Sequence, residues 1–271
     1  MRIEHLVSTM YKKTPEFVYG MNCREDVLIV NQTDVQGQSL SKNGTRQIRM
    51  LSTVERGLSN SRNMLIENAE GDIAIVGDDD LLYLDGYEKV IREAYMAYPE
   101  ADIIAFRFTQ SLEGETRHQF KKEKWLNIFS ISKVASVEVT FRLNRIREKK
   151  LKFCPLLGLG AKYGACEENA FLADALRSGL KILYIPQTIC YLEPDPPERV
   201  KWQNGFDQEY FIKRGAGFYR IYGKLFLPFS LAFLLLKKRS LFHKIGIVKA
   251  LRWMYIGKKE FQKDERMENV S

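Results

Sequence analysis

Over its first 110 residues the chain alternates short β-branched runs with segments of helical periodicity, and this rhythm limits the fold more than any other feature. The runs RIEHLVSTM (2–10), DVLIVNQ (26–32), IRMLST (48–53), DIAIVG (72–77) and DIIAFRF (102–108) are bounded by polar residues and predict strands. Between them, GLSNSRNMLIENAEG (57–71) puts Leu58, Leu65, Ile66 and Ala69 on one face, offers Ser59 or Ser61 as N-cap, and stops at Gly71. LDGYEKVIREAYMAYPEA (84–101) predicts an amphipathic helix closed by Pro99. Such alternation implies an α/β fold around a mostly parallel, doubly wound sheet flanked by helices. Ligands of such sheets bind beyond the carboxyl ends of the strands, which is where Asp78, Asp79 and Asp80 fall.

Three adjacent carboxylates at the end of an apolar strand repel one another, and a bound cation would relieve the conflict. Asp78 and Asp80 form a D-x-D pair whose side chains point the same way if the chain stays extended. Mg²⁺ or Mn²⁺ suits them, because hard cations take one or two carboxylates together with substrate phosphates. Arg62 and Asn63 are expected in the first turn of the preceding helix, where free N–H groups and the dipole favour an anion. Further on, LEGETRHQF (112–120) suggests a hairpin around Gly114, and FRLNRIREKKLKF (141–153) a short basic helix. A glycine-rich loop from Leu156 runs into a helix from about Glu168 to Gly179, and KILYIP follows as a strand. Glu167 and Glu168, where that loop meets the helix, could offer a carboxylate to a pocket as general base.

The ordered set GLSNSRN, AEG, DIAIVG, DDD and CEEN resembles the pattern of the family 2 glycosyltransferases, and does so across residues 2–190. The resemblance implies a GT-A, Rossmann-like fold and an inverting, non-processive enzyme adding one sugar from a nucleoside-diphosphate sugar to a glycan or lipid-linked acceptor. It implies that Asp78 contacts the ribose and that Asp80, with Asp78, ligates Mn²⁺ or Mg²⁺ on the diphosphate. Asp79 belongs to the same donor site, and Arg62 would sit near the base or diphosphate. Ser8, Thr9, Asn31 and Asp34, in the loops after the first two strands, would enclose the base. Two positions depart from the family pattern. Ser61 replaces the alanine of A-R-N, and Glu-Glu replaces Glu-Asp, which leaves the base open between Glu168 and Glu167. The processive signature Q-x-x-R-W is incomplete in ALRWMY. Bacterial surface polysaccharide assembly is the setting the resemblance implies.

The net charge of +8 is unevenly placed: residues 201–271 hold 15 Lys and Arg against 6 Asp and Glu, and the rest of the chain sums to −1. A basic tail on a neutral body suits anionic lipid better than nucleic acid, whose binding domains interleave aromatics and cations on the body. The apolar stretch LFLPFSLAFLLL (225–236) has 12 residues, too few to cross a bilayer, which takes about 20. With the cations that follow it, the region 225–259 is expected to dock on an anionic membrane surface. The expected organisation is a catalytic domain over 1–222, its donor half about 1–110 and acceptor half about 111–222, followed by a basic helical region over 223–271. No signal-peptide pattern opens the chain and no C-x-x-C pair occurs among its four cysteines, so the cytoplasm is expected, at the inner face of the membrane. Two other classes compete. A nucleotidyltransferase should carry a glycine-rich basic loop after its first strand, and STMYKKTPEF has no glycine. A non-catalytic basic module would set the Asp triplet against nucleic-acid phosphate.

Overall fold

A computed structural model of the chain describes residues 1–109, 120–192, 206–241 and 245–268. Its strands are β1 (Ile3–Met10), β2 (Asp26–Gln32), β3 (Gly37–Asn43), β4 (Arg46–Thr53), β5 (Ile73–Asp78), β6 (Leu81–Tyr83), β7 (Ile103–Thr109), β8 (Lys124–Trp125), β9 (Val139–Arg142) and β10 (Ile182–Leu192). Its helices are α1 (Leu58–Asn68), α2 (Tyr87–Ala97), α3 (Leu143–Glu148), α4 (Glu167–Arg177), α5 (Gln208–Tyr222), α6 (Phe226–Leu241) and α7 (Ile247–Glu268). The strands make one sheet in the order β3-β4-β2-β1-β5-β9-β7-β10-β6, with β8 added against β10. β1, β2, β4, β5, β7 and β10 run one way, and β3, β6, β8 and β9 oppose them. The sheet is therefore the mostly parallel α/β one expected from the alternation.

The described residues divide into two compact units, one from Met1–Arg56, Asn60–Lys152 and Leu172–Arg199, the other from Gly57–Ser59, Phe153–Phe171 and Val200–Ser271. In the first unit, Val27–Val30 and Ile73–Ile75 are wholly buried. That is why these strands read as unbroken apolar runs, since both faces of a central parallel strand are covered. Helix α2 packs through Tyr87, Ile91, Ala94 and Tyr95, spaced at helical periodicity, into a core with Val7, Ile29, Tyr83, Ile104 and Phe106.

Local readings needed correction in three places. The segment 141–153, expected as a helix, gives its first residues to β9, which is wedged antiparallel between β5 and β7; only Leu143–Glu148 is helical. Pairing on both edges and complete burial of Phe141 outweigh the helical propensity of those residues. Helix α1 already begins at Leu58, so Arg62 and Asn63 lie in its second turn and not its first. Neither serine acts as the expected cap: Ser59 Oγ donates to Leu157 O at 2.7 Å, and Ser61 Oγ bonds Ser8 Oγ at 2.9 Å. The hairpin expected around Gly114 lies outside the described residues, apart from Phe120.

In the second unit α5 and α7 lie in close contact. A Cβ on Gly215 would overlap the backbone of Met254, and one on Gly257 the carbonyl oxygen of Ile212. Phe211, Phe226, Leu234, Ala250 and Met254 fill the space among α5, α6 and α7. Asp207 caps α5 by accepting from Tyr210 N at 2.8 Å. Tyr163 Oη and Lys162 Nζ each reach Asp264 of α7 at 2.7 Å. The expectation that nothing here is long enough to cross a bilayer is corrected as to length. The helical run Gln208–Lys237, of 30 residues, is long and apolar enough by length and composition alone. Gly223, at φ +53°, interrupts that run between α5 and α6.

Candidate functional site

The parallel strands β4, β2, β1 and β5 are neighbours in that order, so the loops at their carboxyl ends meet along one edge. Register places Ser8 beside Asp78 and Thr9 beside Asn31. Of the residues singled out in the sequence, the first unit brings Ser8, Thr9, Asn31, Arg62, Asp78 and Asp79 to this edge. Asp78 closes β5; the chain turns at Asp79–Asp80 and reverses into β6. The extended geometry that would have aligned Asp78 with Asp80 is therefore absent.

Protein groups offset the charge of the triplet. Arg62, with 1% of its surface exposed, lies under Asp78 and donates Nη2 to Oδ1 at 3.2 Å. Asp79 accepts from Thr9 Oγ1 at 2.6 Å and pairs with Lys12 Nζ at 3.1 Å. The side chains of Asp78 and Asp79 are each about one-third exposed (34% and 33%), open enough to meet a ligand. Arg62 thus holds the part-exposed carboxylate of Asp78 while being itself covered. Asn31 serves as a clamp: Oδ1 accepts from Lys12 N at 3.0 Å and Nδ2 donates to Lys12 O at 2.8 Å, closing the loop after β1.

Asp34 stands exposed after β2 and pairs with Arg56 Nη2 at 2.7 Å, and Arg56 also lies 5.6 Å from the ring centroid of Tyr11. Tyr11, Lys12 and Arg56 were not singled out by the sequence reading, though they flank the same strand ends. One signal for Tyr11 emerges only from the backbone, a non-glycine residue at φ +54° with an exposed ring.

Glu167 and Glu168 belong to the second unit, where they open α4. The loop before them turns through Gly158 at φ +97° and Gly160 at φ +79°. A Cβ on Gly158 would crowd Glu167 Cγ and Ser59 Oγ, both at 3.1 Å, so glycine is required on two counts. Glu167 is buried under this loop, whereas Glu168 is half-buried and more open to solvent. Cys166 precedes them at φ +73°, a strained conformation of the kind that gathers at functional sites. Its Sγ accepts from Arg214 Nη1 at 3.4 Å, and burial pushes the thiol up to about 11 against the pull of Arg214. Burial opposes the charge of Arg214, but Cys166, Tyr210 and Glu168 outweigh it and hold the guanidinium firmly protonated.

Among the described residues no group of three or more His, Cys, Asp and Glu side chains is gathered around a common centre for a metal. A hard divalent ion needs only one or two carboxylates when phosphate oxygens complete its shell, and the all-oxygen donor set at residues 78–80 fits that chemistry.

No protein-family model matches the sequence, and no curated protein does. Solved structures do match. S. aureus TarS 1–349 in complex with UDP-GlcNAc superposes with a TM-score of 0.65 at 12% identity, covering 93% of this chain and 78% of that one. The complex of TarS 1–349 with UDP gives 0.61 at 12% identity, with the same coverage. A further TarS 1–349 structure gives 0.62 at 12% identity over 94% of this chain and 79% of that one. At this identity the similarity is one of fold.

Proposed function

We propose that the chain is an inverting glycosyltransferase of family 2 type. It moves one sugar from a nucleoside-diphosphate sugar to a hydroxyl of a glycan or lipid-linked acceptor, in bacterial surface polysaccharide assembly on the cytoplasmic side. The observation that carries this reading is the charge-balanced cluster of Arg62, Asp78, Asp79, Lys12 and Thr9 at the carboxyl ends of β1 and β5. Support also comes from a shared fold whose solved examples hold UDP-GlcNAc and UDP.

In this reading the nucleoside lies over the loops after β1 and β2, with Ser8, Thr9, Asn31 and Asp34 framing it and Asp78, steadied by Arg62, meeting the ribose. Asp80 and Asp78 would hold Mn²⁺ or Mg²⁺, which when bound would offset the charge of the diphosphate and make it a competent leaving group. Glu168 takes the proton of the acceptor hydroxyl. The hydroxyl oxygen bonds to the anomeric carbon as the bond to the diphosphate oxygen breaks, its electron pair leaving with the diphosphate. One displacement inverts the centre. Glu168 is preferred over Glu167 because Glu167 is buried under Gly158 and a base must reach its proton.

The test is a panel of nucleotide-sugars with Mn²⁺, read by equilibrium binding and by transfer. Asp80→Ala should abolish metal-dependent nucleotide binding. Glu168→Gln should keep binding and lose transfer by about 10²–10⁴-fold, the usual worth of a positioned base. Transfer retained in Glu168→Gln would move the base to Glu167 or elsewhere.

A further inference from the structure

Helix α6 departs from the pattern of a soluble surface helix. Phe226, Ser230 and Leu234 recur every four residues and turn inward, all buried. The opposite side is open. Leu225, Leu227, Pro228, Ala232, Leu235 and Leu236 are exposed, Leu235 at 63% and Leu236 at 80%. Between residues 225 and 236 there is no charge, and the one polar side chain, Ser230, is buried. A helix that is apolar all round belongs in a core or against lipid, and the outer half of this one is not in a core.

Its surroundings indicate what covers it. Exposed Lys224 and Lys237 bracket the apolar stretch, and Lys238 and Arg239 follow in sequence. On α7, Lys258 Nζ lies 5.3 Å from the ring centroid of Phe226, and exposed Lys259 lies 5.1 Å from that of Tyr255. Apolar side chains flanked by cations and an interfacial tyrosine complement a bilayer surface that carries negative headgroups. The geometry favours lying on the surface over crossing it. The run Gln208–Lys237 is long enough to cross, yet its first half carries Glu209, Lys213, Arg214 and Arg220 and is fastened to α7 through Gly215 and Gly257. The apolar stretch of α6 alone spans about 17 Å at 1.5 Å per residue, against about 30 Å of hydrocarbon.

We infer that the outer face of α6, with its flanking cations, docks this chain on an anionic bilayer surface without spanning it. The inference stands apart from the catalytic reading and survives if that reading fails.

Flotation of the full chain with phosphatidylglycerol-containing vesicles, against vesicles of phosphatidylcholine alone, is the test. Binding is expected to the anionic vesicles, weakening with rising salt as the headgroup charge is screened. Leu235→Glu with Leu236→Glu should lower the partition coefficient by about tenfold or more; Leu235→Ser with Leu236→Ser should also lower it. Circular dichroism of both pairs should match the parent, showing that the loss is not unfolding. Undiminished binding by folded variants, no binding to anionic vesicles, or resistance to alkaline carbonate extraction would each overturn the proposal. So would a dimer in lipid-free solution that these substitutions dissociate, since a second copy would then be the occupant.

Discussion

Arg62 is a guanidinium with 1% of its surface exposed, held against a carboxylate that is one-third open. Burying such a group is costly unless it is paired, and the pair fixes Asp78 in one orientation at the strand end. Arg62→Leu should therefore lose about 2–4 kcal/mol in urea denaturation and weaken nucleotide binding, although Arg62 is not itself open to a ligand. Arg62→Lys should fall between, because an ammonium cannot reproduce the planar fork. A Leu variant with parental stability and parental affinity would exclude this positioning role. At this scale the acidic triplet and the arginine were legible because motif spacing exposes them. The covered state of Arg62 was not, since it depends on which strand lies over α1. Tyr11, Lys12 and Arg56 escaped notice for a related reason: the first two lie in the loop after β1 and Arg56 in the loop after β4, and only the order β4-β2-β1 brings those loops together.

Elements with strong periodicity could be read from the sequence, and elements made by tertiary pairing could not. The long strands and α2 declare themselves through apolar runs or a clear helical stripe. β3 is a polar edge strand, GQSLSKN, and β6 has three residues, so neither carries a pattern distinct from loop. The break between α5 and α6 falls at Gly223, which caps α5 at φ +53°. The contact of α5 with α7 rests on glycines, and it gives a sharp test. Gly257→Ala places a methyl where the carbonyl oxygen of Ile212 stands, backbone against backbone, with no flexible side chain to yield. The expected cost is about 3 kcal/mol, at the upper end for overpacking. Gly246→Ala, where nothing lies within 4 Å of the added carbon, should change stability by less than about 1 kcal/mol. Thermal melts of the two variants side by side decide the point, and equal melting temperatures would refute the packing.

For the whole molecule, the two units carry two separable claims: nucleotide binding among residues of the first, bilayer docking on the second. By contacts, residues 153–171 and α5 group with the later helices. That grouping reflects long-range packing, such as Tyr163 on Asp264, which no local window contains. The separation predicts a double dissociation. A ligand that binds only the folded state stabilises it by about 2.7 kcal/mol at a hundred times its Kd. For a chain of this size that amounts to a rise of about 5–10 °C in melting temperature. Uridine diphosphate with Mn²⁺ should give such a shift in the parent and in Leu235→Glu with Leu236→Glu, which alters α6 alone. Asp78→Asn should lose the shift while its binding to anionic vesicles stays at the parental level. If Asp78→Asn lost the vesicles together with the nucleotide, or the α6 variant lost the nucleotide together with the vesicles, the two properties would share one surface, and assigning them to separate units would be wrong.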